Sequence, residues 1–490
     1  MQPRDSGGLG LLTDLYQLTM AYGYWRLGRQ EQEAVFQLCF RRNPFGGGYA
    51  LAAGLEDALA FLEGFGFARD DLDYLATLTG NDGAPLFEPG FLDYLGGLRF
   101  GCSVEAVPEG SVVFPHEPLL RVRGPVLQAQ LVESALLCLV NFQTLVATKA
   151  ARVCQAARGE PVLEFGLRRA QGVDGALSAS RAAYLGGCAA TSNVLAGKRL
   201  GIPVRGTHAH SWVMLFDGER QAFEAYADCL PNNCVFLVDT YDSLAGVRQA
   251  IEVGRALRAR GHELVGVRLD SGDLAYLSQE ARKLLDAAGF PRAVVVASND
   301  LDEHTIQSLK GQGAAIAVWG VGTRLVTGHP DGALGGVYKL SAVRAQDGSW
   351  QPRVKLSEQA VKVTNPGILQ VRRFRGPAGF EADAIWDESR PPPAEWEIVD
   401  PLDPTRRKRL PVDAPYADLL VPVLAGGRRV GAPGTLEEAR ARAAAELASF
   451  HAGVKRFLNP HRYPVGLERG LHERKTELVL QARGLPLHTS

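Results

Sequence analysis

The sequence predicts an α/β protein whose central part is a barrel of strand–helix units. Between about residues 160 and 340, apolar β-branched runs alternate with helical patterns, which indicates strands covered on both faces, as in a parallel sheet. Nearly every predicted strand also ends in polar residues. In a barrel all carboxyl ends of the strands meet at one mouth, whereas an open sheet collects its ligands at one switch point. The many polar strand ends therefore favour the barrel.

The elements follow from periodicity and turn residues. Residues 11–25 have apolar side chains at helical spacing, Thr13 and Asp14 are start signals, and 34–41 predicts a strand. In the central region the predicted strands are 161–169, 203–210, 235–242, 264–272, 293–300 and 315–323, and the predicted helices are 243–260, 274–288 and 301–312.

The C-terminal part has a different character. The proline-rich segment 376–434 predicts loops and short strands, in part a linker. Thr435 and Glu438 form a capping box that starts a helix whose apolar stripe runs to Phe457. Three parts are therefore expected, an N-terminal α+β domain (1–150), a catalytic β/α barrel (151–345) and a C-terminal segment (346–490).

Charge and apolar runs exclude several classes of protein. The net charge is −1, so no nucleic-acid partner is expected. The best membrane-span candidate, 131–148, is interrupted by Glu133, Asn141 and Gln143, and it indicates an amphipathic helix rather than a membrane segment. Seven cysteines occur without a Cys-x-x-Cys pair, which predicts reduced thiols in a cytoplasmic protein.

The stretch "VRLDSGDL" (267–274) is the most informative strand end. Arg268 and Asp270 have the same side-chain parity if the strand continues through them. One can bind an anion while the other binds hydroxyls or a hydrated Mg²⁺. The alternative is a structural Arg–Asp pair that opens a helix.

Two further strand ends suggest phosphate binding. In "WGVGTRLVTG" (319–328), Gly320 and Gly322 allow close approach of a ligand and Thr323 adds a hydroxyl, as in the late loops of barrels; a plain glycine-rich turn is the alternative. "FGLRRAQG" (165–172) places Arg168 and Arg169 at a strand end, and we expect only one of them in the site.

The motif "GTHAHSW" (206–212) places His208 and His210 one residue apart. A metal pair of a metal-dependent amidohydrolase is one interpretation, but no further histidine is suitably placed. A nucleophile or proton carrier beside phosphates is the second. A polar cap satisfied by backbone is the third, and it is favoured for His208. The sequence has no P-loop and no Rossmann fingerprint.

Taken together, the motifs resemble one family. "LLTDLYQLTMAYGYW", "FRRNPFGGGYALAAGL", "FGLRRAQGVDGALSASRAAYLGG", "SNVLAGKRLGIPVRGTHAHS", "VRLDSGDL", "ASNDLDE", "WGVGTRLVTG" and "LGGVYKL" occur in this order from residue 11 to about 340. They closely resemble the nicotinate phosphoribosyltransferases, which are type II phosphoribosyltransferases. Beyond about residue 360 the resemblance is loose.

The resemblance implies an activity and an architecture. Nicotinate, phosphoribosyl pyrophosphate, ATP and water would give nicotinate mononucleotide, pyrophosphate, ADP and phosphate, in NAD biosynthesis from nicotinate, with Mg²⁺ as cofactor. It also implies an irregular barrel of about seven strands and a second, smaller α+β domain built from both chain ends, with 346–490 partly completing it and ending in helices. A homodimer with a shared active site is implied as well.

The resemblance also assigns residues. His210 matches the histidine that ATP phosphorylates, and His208 falls where relatives have an apolar residue, so His208 is expected to be incidental. The other matched positions are Thr207 and Arg268 (nicotinate), Tyr16 (the pyridine ring, from the partner subunit), Thr323 (phosphoribosyl pyrophosphate) and Arg168 (substrate site). Asp270, Gly322 and Ser298 are placed in the site by position alone. No protein metal ligand is predicted, and no zinc is expected at the C-terminus because no cysteine follows Cys234.

Other functions stay open at this point. They are a nicotinamide- or quinolinate-using relative, the metal-dependent amidohydrolase built on His208 and His210, and a non-catalytic barrel that only binds phosphosugars.

Overall fold

The computed structural model describes residues 9–432 and 434–486, and it divides the chain into two compact units. Unit 1 combines Met1–Leu145 with Ala333–Ser490, and unit 2 is Val146–Gly332. The discontinuous unit is therefore the larger one, contrary to the prediction of a smaller second domain. The reason is that the whole C-terminal segment packs with the N-terminal part, which the loose patterning of that segment does not reveal.

The elements of the N-terminal part alternate irregularly, as expected. The strands are β1 (Glu33–Phe40), β2 (Ala50–Leu51), β3 (Ser103–Ala106), β4 (Val112–Val113) and β5 (Leu120–Pro125). The helices are α1 (Leu15–Arg26), α2 (Leu55–Glu63), α3 (Arg69–Leu75), α4 (Pro89–Gly97), α5 (Val126–Leu131) and α6 (Glu133–Ala157).

Unit 2 alternates strands and helices. The strands are β6 (Val162–Glu164), β7 (Ala190–Thr191), β8 (Val235–Leu237), β9 (Gly266–Leu269), β10 (Val294–Ala297) and β11 (Val318–Val321). The helices are α7 (Gly172–Leu185), α8 (Val194–Leu200), α9 (His210–Met214), α10 (Glu219–Cys229), α11 (Ser243–Ala259), α12 (Leu274–Ala287), α13 (Glu303–Gly311) and α14 (Thr323–Val326).

The C-terminal part is mostly strands and closes with two helices. The strands are β12 (Gly336–Arg344), β13 (Trp350–Pro352), β14 (Leu369–Gly376), β15 (Gly379–Asp387), β16 (Glu397–Val399), β17 (Arg407–Arg409), β18 (Tyr416–Asp418), β19 (Val421–Ala425), β20 (Arg428–Arg429) and β21 (Val465–Glu468). The helices are α15 (Leu436–Ser449) and α16 (Arg469–Ala482). The region 376–434 thus contributes strands to sheets and is not a linker.

Two large sheets organise unit 1. The antiparallel sheet has the strand order β13-β12-β1-β5-β3-β19-β20. In it, β1 pairs with β5 on one side and with β12, which follows unit 2 in the chain, on the other. The second sheet has the order β17-β16-β21-β15-β14-β18, with one parallel pair, β15 and β21. The first sheet lies in an apolar core that includes Leu38, Phe40 and Phe91.

Unit 2 contains a six-stranded parallel sheet with the order β7-β6-β11-β10-β9-β8. The predicted strand 203–210 is wrong, because only Val204 forms a bridge, in parallel to Thr191. β7 was missed, because a two-residue strand carries no apolar run. The other predicted strands exist but are shorter, since their polar ends lie in loops beyond the carboxyl edge of the sheet.

The predicted helices of unit 2 are confirmed within two residues at each end as α11, α12 and α13. Each begins after an aspartate, Asp242, Asp273 or Asp302, whose side chain accepts a hydrogen bond from a backbone amide in the first turn. Such a cap satisfies a donor that the helix itself leaves unpaired. The strand-to-helix loops are therefore anchored where the polar residues cluster.

Two further helices agree with the sequence patterns. The capping box of Thr435 and Glu438 starts α15, but the helix ends at Ser449, so Phe457 lies beyond it. The predicted helix at 131–148 belongs to α6. By length and composition α6 could cross a membrane, yet 67% of its most apolar window is buried, as in a core helix.

Candidate active site

Arg268 is the centre of the polar cluster at the carboxyl edge of the parallel sheet. It lies near the end of β9, and its side chain is only 14% exposed. Nε donates to Ser298 Oγ at 2.8 Å, Nη1 to Thr207 Oγ1 at 3.0 Å and Nη2 to Asp270 Oδ1 at 3.1 Å. These four residues are called the Arg268 cluster below. They come from three segments that sequence analysis had predicted to converge.

The contacts within the Arg268 cluster fix the direction of its guanidinium group. Ser298 also donates to Asp270, and Thr207 donates its own proton to the carbonyl oxygen of His208 at 3.1 Å. The guanidinium carbon lies 5.6 Å from the ring centroid of Phe165. Of the five N–H donors of an arginine, three are used by these contacts. Two remain for an anionic ligand, and their direction is set before the ligand arrives.

His210 is the first residue of α9, next to the Arg268 cluster. Its Nδ1 lies 3.1 Å from Thr240 Oγ1, which follows β8. The hydroxyl can donate to Nδ1 or accept from it, so this contact allows two tautomers. If Thr240 accepts from Nδ1–H, the lone pair of Nε2 is available to a reacting atom.

His208 differs from His210 in both burial and partners. It is 8% exposed, its Nε2 accepts from the amide of Leu237 at 3.2 Å, and its Nδ1 lies 3.3 Å from the carbonyl oxygen of Ala209. Burial is the largest cause that lowers its pKa, with Arg268 and His210 adding to the shift. Both ring nitrogens face backbone groups, so neither is available to a metal ion.

Two carboxylates that had no assigned role lie beside this region. Asp239 Oδ2 accepts from the amide of Asp270 at 3.0 Å and from Ser271 Oγ at 2.6 Å, whereas its Oδ1 is buried without a partner among the described residues. Glu219 Oε1 is likewise buried without a hydrogen-bond partner among the described residues. Burial, followed by the charges of Asp239 and Asp242, raises the pKa of Glu219 to about 7.

Glu219 could not be recognised from the strand-end pattern. It stands at the start of α10, after a loop, and no neighbouring motif marks it. Asp239 did carry a signal, because it directly follows an apolar strand.

The glycines of the predicted phosphate loop have a packing role. A Cβ at Gly320 would lie 2.7 Å from the ring of Phe165, and a Cβ at Gly322 would lie 3.2 Å from the carbonyl oxygen of Phe165. These glycines therefore let β11 approach Phe165, the ring beside Arg268. Thr323 follows as the first residue of α14.

The remaining predicted residues belong to other elements. Arg168 and Arg169 are exposed in a short 3-10 helix, Leu167–Arg169, beyond the end of β6. Buried Glu164, at the end of β6, accepts from the amide of Gly166 in this loop, from Ser180 Oγ at 2.9 Å and from Thr191 Oγ1 at 2.5 Å. Tyr16 lies on α1 in unit 1 and is 50% exposed.

Family models match most of the chain. The nicotinate phosphoribosyltransferase N-terminal domain matches residues 11–141, the nicotinate phosphoribosyltransferase family matches 161–352, and the corresponding C-terminal domain matches 370–475. The chain belongs to the nicotinate phosphoribosyltransferase family. The sequence resemblance is thereby confirmed, and it extends into the C-terminal segment, where the motifs resemble the family only loosely.

Individual members of the nicotinate phosphoribosyltransferase family are similar to this chain over most of its length. The Bacillus subtilis nicotinate phosphoribosyltransferase is 49% identical over 385 residues, 78% of this chain and 77% of the relative. The Homo sapiens enzyme is 39% identical over 521 residues, 94% of this chain and 95% of the relative. The crystal structure of human nicotinic acid phosphoribosyltransferase matches with a TM-score of 0.83 and 36% identity, covering 95% of this chain and 99% of that one.

The nicotinate-nucleotide pyrophosphorylase from Pyrococcus furiosus shares the fold, with a TM-score of 0.69 at 20% identity and coverage of 92% and 99%. The amidohydrolase alternative has no support. Within residues 9–432 and 434–486, no group of three or more His, Cys, Asp or Glu side chains could hold a metal ion.

Proposed function

We propose that the chain transfers the phosphoribosyl group of phosphoribosyl pyrophosphate to nicotinate, with ATP hydrolysis coupled to the transfer. The products are nicotinate mononucleotide, pyrophosphate, ADP and phosphate. The observation that carries the proposal is the Arg268 cluster, a mostly buried and pre-oriented cation at the carboxyl edge of a parallel sheet. It stands in a chain of the nicotinate phosphoribosyltransferase family.

Arg268 is the proposed partner of the nicotinate carboxylate. Its two remaining N–H donors and its positive charge suit a planar carboxylate, and such charge-assisted hydrogen bonds are stronger than neutral ones. Thr207 keeps the guanidinium in place beside the same ligand. Nicotinamide has no negative charge and would gain less from Arg268, so the cluster favours the acid over the amide. Tyr16 of the partner subunit is the proposed contact to the pyridine ring.

In the transfer step the phosphoribosyl group passes from pyrophosphate to the pyridine nitrogen of nicotinate. The pyridine nitrogen attacks C1 of the ribose, the bond from C1 to the pyrophosphate oxygen breaks, and pyrophosphate leaves with the electron pair. Positive charge develops on the ribose carbon, where Asp270 is proposed to stabilise it. Exposed Arg168, beyond the end of β6, is proposed to bind the negative pyrophosphate together with Gly322 and Thr323, which follow β11.

Mg²⁺ is proposed to arrive with the pyrophosphate substrate rather than as a resident ion. The buried Oδ1 of Asp239, which has no hydrogen-bond partner among the described residues, is an oxygen of the kind that Mg²⁺ or its bound water prefers, so the residues fit such an ion. When bound, Mg²⁺ would neutralise part of the pyrophosphate charge.

His210 is the proposed site of ATP coupling. With Thr240 accepting from Nδ1–H, Nε2 can attack the γ-phosphorus of ATP, forming an N–P bond while ADP leaves with the electrons of the broken P–O bond. Water later cleaves the N–P bond and releases phosphate. We propose that the added charge orders the loop that bears Thr207 and His210, and that its loss helps product to leave.

The proposal extends to architecture and assembly. A closed, irregular barrel is supported by two contacts at opposite edges of the parallel sheet, the Val204–Thr191 bridge and the hydrogen bond from Leu237 to His208. A homodimer is supported by exposed apolar side chains on and beside α1, namely Leu12, Leu15, Tyr16 and Met20. The proposed location is the cytoplasm, in NAD biosynthesis.

The direct test is product formation by the full chain with phosphoribosyl pyrophosphate and Mg²⁺, with and without ATP, using nicotinate or nicotinamide. We expect nicotinate mononucleotide from nicotinate, more of it with ATP, and little product from nicotinamide. Product from nicotinamide alone would contradict the role of Arg268. No product from either substrate would contradict the transferase reaction itself.

A further inference from the structure

His208 occupies a position with an unusual hydrogen-bonding requirement. Leu237 lies in β8, the edge strand of the parallel sheet, which pairs with β9 on one side only. The next amide along, that of Val238, donates back to Arg268 in β9 at 3.2 Å. Since neighbouring amides of a strand point to opposite sides, the amide of Leu237 points to the free edge, where His208 Nε2 accepts it at 3.2 Å.

The two contacts of the ring determine its protonation state. A backbone amide can only donate, so Nε2 of His208 carries no proton. Nδ1 lies 3.3 Å from the carbonyl oxygen of Ala209, which can only accept, so Nδ1 carries one. The imidazole is therefore neutral with its proton on Nδ1. A second proton on Nε2 would place two donors against each other and break the contact with Leu237.

This contact holds a loop that carries two site residues. Within residues 206–209, which the structure describes completely, no main-chain group is hydrogen-bonded to the sheet. Thr207 on one side of His208 binds Arg268, and His210 on the other binds Thr240. The imidazole of His208 is thus the link between the backbone of β8 and the loop between Val204 and α9.

The surroundings of the ring oppose a positive charge. His208 packs against Phe223 and Tyr226 of α10 and Phe236 of β8, with centroid distances of 6.0, 5.1 and 6.3 Å. Burial raises the pKa of Tyr226, so that phenol stays neutral. The charged or titratable groups that act on His208 from the other elements are Arg268 of β9 and His210 of α9. Both disfavour protonation.

We propose that His208 is a positioning residue of the nicotinate site, a neutral imidazole that ties the loop bearing Thr207 and His210 to the free edge of β8 and releases it when protonated. The effect of His208 on nicotinate binding rests on the proposed function. The contact with Leu237 is independent of that function.

The sign of the pH dependence follows from the lowered pKa of His208. In the unfolded chain His208 takes up a proton near pH 6.5, its ordinary pKa. In the folded protein it does so only at a lower pH. The contact is therefore intact at neutral and alkaline pH, unit 2 loses stability as the pH falls below 6.5, and the contact breaks when the pH falls through the folded pKa.

The first test compares His208→Gln, His208→Leu and the full-length wild type. Gln can present an acceptor oxygen to Leu237 and does not titrate, Leu presents none, and His262→Gln is a matched control at a distant histidine. We expect KM for nicotinate to rise about five- to tenfold in the wild type and the control between pH 8 and the lowest pH at which the proteins stay folded, with a much smaller change in kcat. For both His208 variants the ratio of the KM values at the two pH values should stay near one. A wild-type ratio equal to theirs would overturn the proposal.

The second test does not need the enzyme activity. Hydrogen exchange at pH 8, followed by mass spectrometry of a peptide that covers β8, measures protection of the Leu237 amide. We expect exchange about five- to tenfold faster in His208→Leu than in His208→Gln. Equal protection would overturn the proposal even in an active enzyme. A wild type that makes no product from nicotinate, yet shows this difference, would refute the proposed function and leave the contact standing.

Discussion

At the scale of single residues, the proposed function assigns nicotinate binding and ATP coupling to different residues. Arg268 is fixed by three hydrogen bonds and keeps donors for a carboxylate. The ring of His210 lies 3.1 Å from Thr240 Oγ1, in the loop that follows β8. The two residues lie on different elements, so under the proposal a change at His210 alters the use of ATP while the proposed nicotinate contact at Arg268 persists.

For His210 we predict a specific loss of coupling. In His210→Asn, nicotinate mononucleotide should still form at high substrate concentrations, but ATP should no longer stimulate it and ADP should not appear with product, because no nitrogen nucleophile remains. Parallel assays of ADP and nicotinate mononucleotide measure this. Thr240→Val should lie between wild type and His210→Asn. Full ATP-coupled turnover by His210→Asn would contradict the assignment.

Residue patterns predicted much of the candidate site. Arg268 lies near the end of an apolar strand, Asp270 directly follows that strand, and Ser298 directly follows an apolar run; a parallel sheet brings such ends to one edge. The family resemblance placed Thr207 in the candidate site, although the strand predicted over 203–210 does not form. Glu219 was not recognised, because its burial beside Asp239 depends on how a loop folds back, and no local pattern encodes that contact.

At the scale of elements, close packing between β11 and the loop after β6 supports the Arg268 cluster. Phe165 donates its amide to Val321 at 2.8 Å, and its ring fills the space above Gly320. The same ring lies beside Arg268. A side chain at position 320 would therefore act on the site through Phe165.

We predict that Gly320→Ala destabilises the protein by about 1–3 kcal/mol, because the new methyl group overlaps the ring of Phe165. KM for nicotinate should rise as the ring shifts against Arg268. Urea unfolding and initial-rate kinetics measure the two effects. Gly175→Ala is the control: its Cβ meets no atom within 4 Å in α7, so it should stabilise by about 0.5–1 kcal/mol. Equal behaviour of the two variants would contradict the packing role.

Helices and strands were predictable from the sequence where the residues that define them are close together in the chain. Helices α11, α12 and α13 each have a capping aspartate and an apolar stripe, and all three were found. Strand ends were placed too far along the chain, because polar residues just beyond a sheet look like its continuation. β7 was missed because its two residues depend on neighbours that the sequence does not indicate.

At the scale of the whole chain, a buried charge cluster joins distant segments of unit 1. Arg373 in β14 donates to Asp383 at 2.6 and 3.0 Å, to Glu446 at 2.9 Å and to the carbonyl oxygen of Val112 at 2.7 Å. Glu117 lies in the same cluster. Burial, followed by the charge of Asp383, raises the pKa of Glu117 well above its usual range. The family resemblance implied that both chain ends build one domain, but the residue patterns alone did not indicate it, because such contacts are non-local.

The raised pKa of Glu117 gives a pH dependence of stability. The folded protein keeps a proton that the unfolded chain releases above about pH 4.5, so this group lowers stability as the pH rises from there to its folded pKa. We predict that Glu117→Gln, which resembles the protonated acid, gains stability relative to wild type between pH 5 and pH 8 in urea unfolding. Glu473→Gln, at an exposed site, should follow the wild type. Parallel curves for Glu117→Gln and wild type would contradict the raised pKa of Glu117.

The measurement that tests the central claim most directly is the ratio of kcat/KM for nicotinate and nicotinamide in wild type and in Arg268→Gln. The wild type should strongly favour nicotinate. Arg268→Gln should lose about 100-fold in kcat/KM for nicotinate, since charge-assisted hydrogen bonds are worth roughly 1.5–3 kcal/mol each, while its activity on nicotinamide changes far less. Arg255→Gln, at an exposed cation of α11, should match the wild type. An unchanged ratio in Arg268→Gln would contradict Arg268 as the partner of the carboxylate.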